Sequence, residues 1–157
     1  MIRSLLLAII VCYSVAAVDD AAMIQPADLF PDFPSVHFGM TYDAVKSAVE
    51  KTGAHPGGNK DEMAWDGKFG EYQGRATVHF KEERAVQISV VQYAMAKRAE
   101  VFEKWAKQIS DKHGAAEDSD TSDVKSKLWR LKTGVAIELR LVKDDNSPVV
   151  DVRWVKL

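Results

Sequence analysis

The side chains able to do acid–base, nucleophilic or metal chemistry are thinly spread along this 157-residue chain. His37, His55, His79 and His113 stand far apart and share no ligand spacing, so they imply no metal centre. Cys12 is the only cysteine. The chain has no G-x-S-x-G elbow to present a serine, no H-E-x-x-H pair, no Walker loop and no G-x-G-x-x-G turn. Asp118, Asp120 and Ser122 open like a calcium loop, but its sixth position is Asp123 where a glycine makes the turn. Its twelfth is Trp129 where a bidentate glutamate closes the site, which leaves a solvated acidic loop as the expectation. No catalytic residue, metal or cofactor is assigned.

What remains is a surface. Two-residue alternation predicts that Thr77, His79, Gln87, Ser89, Glu138, Arg140, Asp151 and Arg153 share the outward face of a sheet. From this set come the binding candidates His79, Gln87, Glu138, Arg140, Asp151 and Arg153, with Tyr93 added as an apolar anchor. As a solvent face it would carry cross-strand ion pairs, Glu138 with Arg153 or Asp151 with Arg140, each worth little. As a docking surface it would add Val91 and Tyr93, with Tyr72 or Trp129, as anchors inside a polar rim. A third reading couples His79 to Glu138 or Asp151 as the acid–base pair of a small hydrolase with a convergent site.

These residues need elements to hold them. In EVFEKWAKQISDKHG, from Glu100 to Gly114, Val101, Phe102, Trp105 and Ile109 recur at helical steps while Glu103, Lys104, Lys107, Gln108 and Lys112 fill the other side. Lys112 and His113 suit the negative end of the helix dipole, and Gly114 a left-handed stop. A second helix follows the N-cap Thr41, with Ala44, Val45, Ala48 and Val49 as its apolar face and Gly53 beyond its end. The loop from His55 to Glu62 is expected to be exposed and mobile. Met63 to Trp65 reads as a short strand ended by Asp66-Gly67, with an irregular piece between Gly70 and Gly74. A hairpin turning on Glu82-Glu83-Arg84 then buries Ala76, Val78 and Phe80 against Val86, Ile88 and Val90. After the acidic loop come KLWRLK, a Thr133-Gly134 turn, a strand burying Val135, Ile137, Leu139 and Leu141, and a last strand burying Val150, Val152 and Trp154. Trp65, Trp105 and Trp154 read as core.

The first seventeen residues, MIRSLLLAIIVCYSVAA, join an early Arg3 to an apolar run and small residues, the pattern of a secretory signal peptide over 1–17. Val15 and Ala17 suit a cut before Val18; Ser14 with Ala16, or a cut near Ala22, fits the same rule. The other reading is a retained membrane anchor, against which the apolar run is short of the ~20 residues a bilayer needs. Cleavage would remove Cys12 and hence any disulfide or thiolate chemistry. Arg3 is the only charged side chain in this stretch, so the net charge would pass from −2 to −3, with lysines and arginines scattered among carboxylates. Nucleic acid is therefore not an expected partner. Residues 18–37 form a lead-in arm punctuated by Pro26, Pro31 and Pro34, whose Leu29, Phe30 and Phe33 either pack on the domain or ride on a free tether.

The single domain expected over 38–157 has halves, about 38–93 and 94–157, that share an order. Each runs helix, Gly-Ala, polar loop, a strand holding a tryptophan (Trp65; Trp129), a turn glycine (Gly74; Gly134) and alternating strands. The expectation is an α+β fold of two α-β-β-β units, forming one antiparallel sheet with two helices packed on one face. Chance agreement is the alternative, since the spacings are unequal. With Phe-Gly-Met-Thr-Tyr-Asp-Ala-Val at 38–45 opening a helix before strands, this duplicated order resembles the small exported β-lactamase-inhibitor-protein-like and outer-membrane-assembly-lipoprotein-like domains. The lipid-attached members differ, because Cys12 follows Val11 inside the apolar run and makes no lipobox. The resemblance implies a non-enzymatic protein that binds another protein through its sheet. The functional expectation is thus an exported, periplasmic or secreted, inhibitor-like binding module with an envelope or secreted protein as partner and no membrane insertion after cleavage. A small hydrolase and a purely structural envelope component are the alternatives.

Overall fold

A computed structural model describes residues 25–93, 96–144 and 149–157; the expected leader and the first residues of the arm lie outside them. Eight antiparallel strands make one sheet in the order β1-β2-β3-β4-β8-β7-β6-β5. Their ranges are Gly57–Asn59, Glu62–Phe69, Tyr72–Lys81, Arg84–Gln92, Glu117–Asp120, Val124–Arg130, Val135–Val142 and Val150–Lys156, numbered β1 to β8 in chain order. Helix α1, Tyr42–Glu50, precedes β1, and α2, Arg98–His113, precedes β5. Each half is therefore a helix followed by an antiparallel meander, and the halves meet at the β4–β8 seam as mirror-ordered copies. Trp65 on β2 and Trp129 on β6 hold equivalent places in this arrangement, both buried.

The units are longer than three strands. The loop expected after His55 contains β1, and the acidic loop contains β5, both fully exposed edge strands. In the first, Asn59 Oδ1 accepts from the backbone N–H groups of Asp61 and Glu62, which closes the turn that lets β1 pair with β2. On β5 every carboxylate faces a cation: Asp118 meets Lys127 at 2.9 Å, and Glu117 and Asp120 meet Arg130 and Lys143. Charges of this kind keep an edge from pairing with other chains.

Strand β2 does not stop at Asp66-Gly67. Gly67 sits opposite Gly74, and Asp66 and Arg75 join as neighbours across the strands, so pairing continues to a turn at Gly70-Glu71. The hairpin on Glu82 and Glu83 forms, with both residues at positive φ (51° and 61°). A register shift beside Phe80 places Ala85 opposite it, so Ala85 is fully buried and Val86 only half so. Helix α1 begins as expected at Thr41, whose hydroxyl accepts from Ala44 N–H. Val45 and Val49 are buried, but Ala44 is exposed and Ala48 half-covered, a narrower stripe than the sequence suggests. Helix α2 buries Val101, Phe102, Trp105, Ala106 and Ile109. Gly114 ends it at φ 82°, ψ −159°, an extended positive-φ geometry instead of the left-handed helical one.

Both helices, the arm and one face of the sheet share a single core. Phe30 packs edge-on against Trp105 at 5.0 Å, Phe69 at 6.0 Å and Trp154 at 6.4 Å, while Phe33 reaches Trp65 and Phe69. The described part of the arm is thus part of the core, and it lies on the helical side. The reverse face carries none of these elements.

Candidate functional site

Register fixes which side chains share the reverse face. One row across the sheet runs Ala64, Thr77, Ser89, Arg153, Glu138, Leu128; the next runs Asp66, Arg75, Val91, Asp151, Arg140, Ser126. His79 and Gln87 stand opposite each other in a third row, and Tyr93 follows β4 two residues past Val91. All seven binding candidates therefore fall on this side, as strand alternation requires.

They do not form one cluster. Arg140, Asp151 and Arg153 gather near the seam. Asp151 is 4% exposed. Its Oδ2 accepts from Arg153 Nε at 2.7 Å, with Nη2 of the same guanidinium 2.5 Å away as an ion pair, while Arg140 Nη1 stands at 3.8 Å, outside hydrogen-bond range. Asp151 Oδ1 has no partner among the described residues. Glu138 lies opposite Arg153 in register, yet the expected pair between them is not made, because Arg153 turns to the carboxylate two residues back on its own strand. Half-buried Val124, Val142, Leu128 and Val155 flank this polar centre on β6, β7 and β8. A partly apolar surface around a pair of arginines, one of them anchored, has the make-up of an interface centre.

His79 lies apart. Its Nδ1 is 3.4 Å from Glu62 Oε2, and both side chains are exposed. Asp151 and Glu138 are two and three strands away, at least about 10 and 14 Å across the sheet before the offset along the strands is added, so the His79–Glu138 or His79–Asp151 pair is not assembled. Farther along, Asp66 and Arg75 form a two-pronged hydrogen-bonded pair at 2.9 and 3.0 Å. This pair holds the Asp66 carboxyl below the usual carboxylate range and raises Arg75. Tyr93, 51% exposed, is the large apolar side chain the face leaves in water.

Two expected anchors face the other way. Trp129 is buried on the helical side, with its indole N–H donating to Gly114 O at 3.1 Å, and Tyr72 packs against the same core. Tryptophan is best placed where its N–H finds an acceptor, and here the end of α2 supplies it. Of the face residues that went unremarked in the sequence, Val124 and Leu128 lie on β6, of which only KLWRLK was recognised, and Val142 ends β7. Lys125 hides the alternation: it points to the helical side, where it bonds Glu103 and lies 5.1 Å over the Phe102 ring. The Glu103 hydrogen bond raises its pKa.

A second concavity, about 220 Å³, opens between the arm, the β2–β3 turn and α2. Its rings, Phe30, Phe69 and Trp105, are each at least 95% buried against one another, so they offer a ligand little free surface. Among the described residues no three of His, Cys, Asp and Glu converge as a metal site, and no helix is long and apolar enough to cross a membrane. Comparison of the chain with protein-family models, with curated proteins and with solved structures gives no match.

Proposed function

We propose that this chain is an exported, non-enzymatic binding module that holds another protein against the reverse face of its sheet. The observation that carries the reading is the one-sided layering: α1, α2 and the described part of the arm all bury the same face, and among the described residues only strand side chains occupy the other. An antiparallel sheet tolerates such a wet face. Here that face is mixed, with Arg153 anchored on a buried aspartate, Arg140 nearby and half-buried valines beside them. The leader-like first seventeen residues and the resemblance to inhibitor-like exported domains point the same way. The inferred partner is a secreted or envelope protein.

A photo-crosslinking side chain placed at Gln87, on the reverse face, and separately at Glu103, on the helical side, tests this in the cells that make the protein. The expected result is a discrete protein adduct from position 87 and none from 103. Equal labelling from both positions, or no adduct from the sheet, sinks the proposal.

A further inference from the structure

We infer that Arg140, supported by Arg153, is the receptor for a carboxylate side chain of the partner protein; this rests on the reading of the reverse face as a docking surface. Arg153 is committed. Its Nε donates to Asp151, a carboxylate almost wholly removed from water, and its guanidinium is ion-paired with the same oxygen. Arg140 is not. Its side chain is 28% exposed, it makes no hydrogen bond among the described residues, and its one ion pair spans 3.8 Å. A guanidinium carries five donors in a planar fork that matches a carboxylate. An unfilled fork held on the sheet is free to take a bidentate, charge-assisted pair of hydrogen bonds to an incoming carboxylate.

The surroundings favour an anion at that point. Arg140 and Arg153 are diagonal neighbours across β7 and β8, and the single carboxylate between them is already engaged by Arg153. Glu138, one register step away on the same face, is within ion-pair distance of neither guanidinium. The occupant is also expected to be partly apolar. Val142 and Val124, paired beyond Arg140, and Val91, opposite Asp151, give it half-buried aliphatic contacts that a free inorganic anion would not use. An acidic side chain flanked by aliphatic residues, carried by a protein, satisfies both demands.

The test titrates the isotope-labelled protein with acetyl-valyl-glutamyl-valinamide, with its glutaminyl counterpart and with inorganic phosphate, following the arginine Nε–Hε and strand amide resonances at constant ionic strength. The glutamyl peptide should shift Arg140 and the β7–β8 amides saturably. Arg140→Gln should weaken this about tenfold, as loss of a charged partner does. Glu138→Gln should tighten it about two- to threefold by removing a nearby like charge. Arg140→Lys, which keeps the charge and loses the fork, should recover only part of the affinity, and the amide spectrum of each variant reports that it is folded. If the glutaminyl peptide binds as well, the carboxylate receptor is overturned while the docking face survives. If phosphate alone shifts Arg140 as tightly as the peptide, the site belongs to a free anion and the inference also fails. Absence of any saturable shift at about 10 mM peptide, where even Kd values of a few millimolar would register, overturns it outright. The crosslinking outcome then decides the docking reading separately.

Discussion

Gly74 and Val91 approach so closely across β3 and β4 that a Cβ on Gly74 would stand 2.3 Å from the Val91 carbonyl oxygen. Backbone, not a flexible side chain, is the obstacle. Gly74→Ala is therefore expected to cost about 1–3 kcal/mol in urea unfolding, as overpacking does. Gly57, which has nothing within 4 Å of such an atom, is the control. A Gly57→Ala loss as large as that of Gly74→Ala would show that the clash does not set the cost, since restricting the unfolded chain by itself stabilises.

The Phe30–Trp105 contact makes a second prediction. Each ring is nearly fully buried, and they meet edge to face across the arm and α2. Trp105→Ala and Phe30→Ala should each destabilise by about 3–5 kcal/mol. Because they touch, the double variant should lose measurably less than the sum. A Phe30→Ala loss below about 1 kcal/mol would return the arm to the status of a tether.

How far these features could be read in advance follows from what each depends on. The core-facing sets on α2 and on β7 and β8 were legible, because a run of large apolar residues at one period allows one face only. The outward positions of Arg140, Asp151 and Arg153 followed from the same alternation. Strands β1 and β5 were not legible, since Gly-Gly-Asn and Glu-Asp-Ser-Asp owe their extended shape to neighbouring strands and not to buried side chains. Nor could alternation tell that Arg153 would prefer Asp151 over Glu138, a choice between two nearby carboxylates made by rotamers. Trp129 was misplaced for a related reason: the acceptor that seats its indole, Gly114 O, comes from a helix end fifteen residues earlier.

His113 supplies a pH prediction. Burial at the end of α2 holds its pKa below the usual imidazole range; Lys112 pushes the same way and Asp28 opposes. The unfolded chain therefore takes up a proton at this residue first, near pH 6.5, and the folded chain only at lower pH. Stability should be unaffected by this group well above pH 6.5 and should fall as the solution is acidified through and below it. His113→Gln should flatten that part of a stability profile between about pH 7 and pH 5, read from chemical denaturation. An unchanged slope would mean that burial does not act on His113 as proposed.

The Glu82-Glu83 turn holds two non-glycine residues at positive φ, the geometry that two-residue hairpins reserve for Asn-Gly. Two adjacent carboxylates at the tip add repulsion. Replacing them together, Glu82→Asn with Glu83→Gly, should stabilise the fold by about 1 kcal/mol or raise the midpoint by a few degrees. A loss of stability would imply that one of the glutamates makes a favourable interaction stronger than the strain.

Asp151 and Arg140 separate structure from recruitment. Asp151 is the buried partner, and Asp151→Ala would strand two guanidiniums beside each other on β7 and β8. Both arginine side chains are about one-third exposed, so water offsets part of the loss, and the expected cost is about 1–3 kcal/mol and not the larger figure for a fully enclosed pair. Arg140 makes no hydrogen bond among the described residues, so Arg140→Gln should change stability by less than about 0.5 kcal/mol, as an ordinary surface substitution does. Thermal or urea unfolding of the two variants measures the difference. A cost for Arg140→Gln as large as that for Asp151→Ala would assign Arg140 to holding the sheet together, and leave it no spare fork to offer a partner.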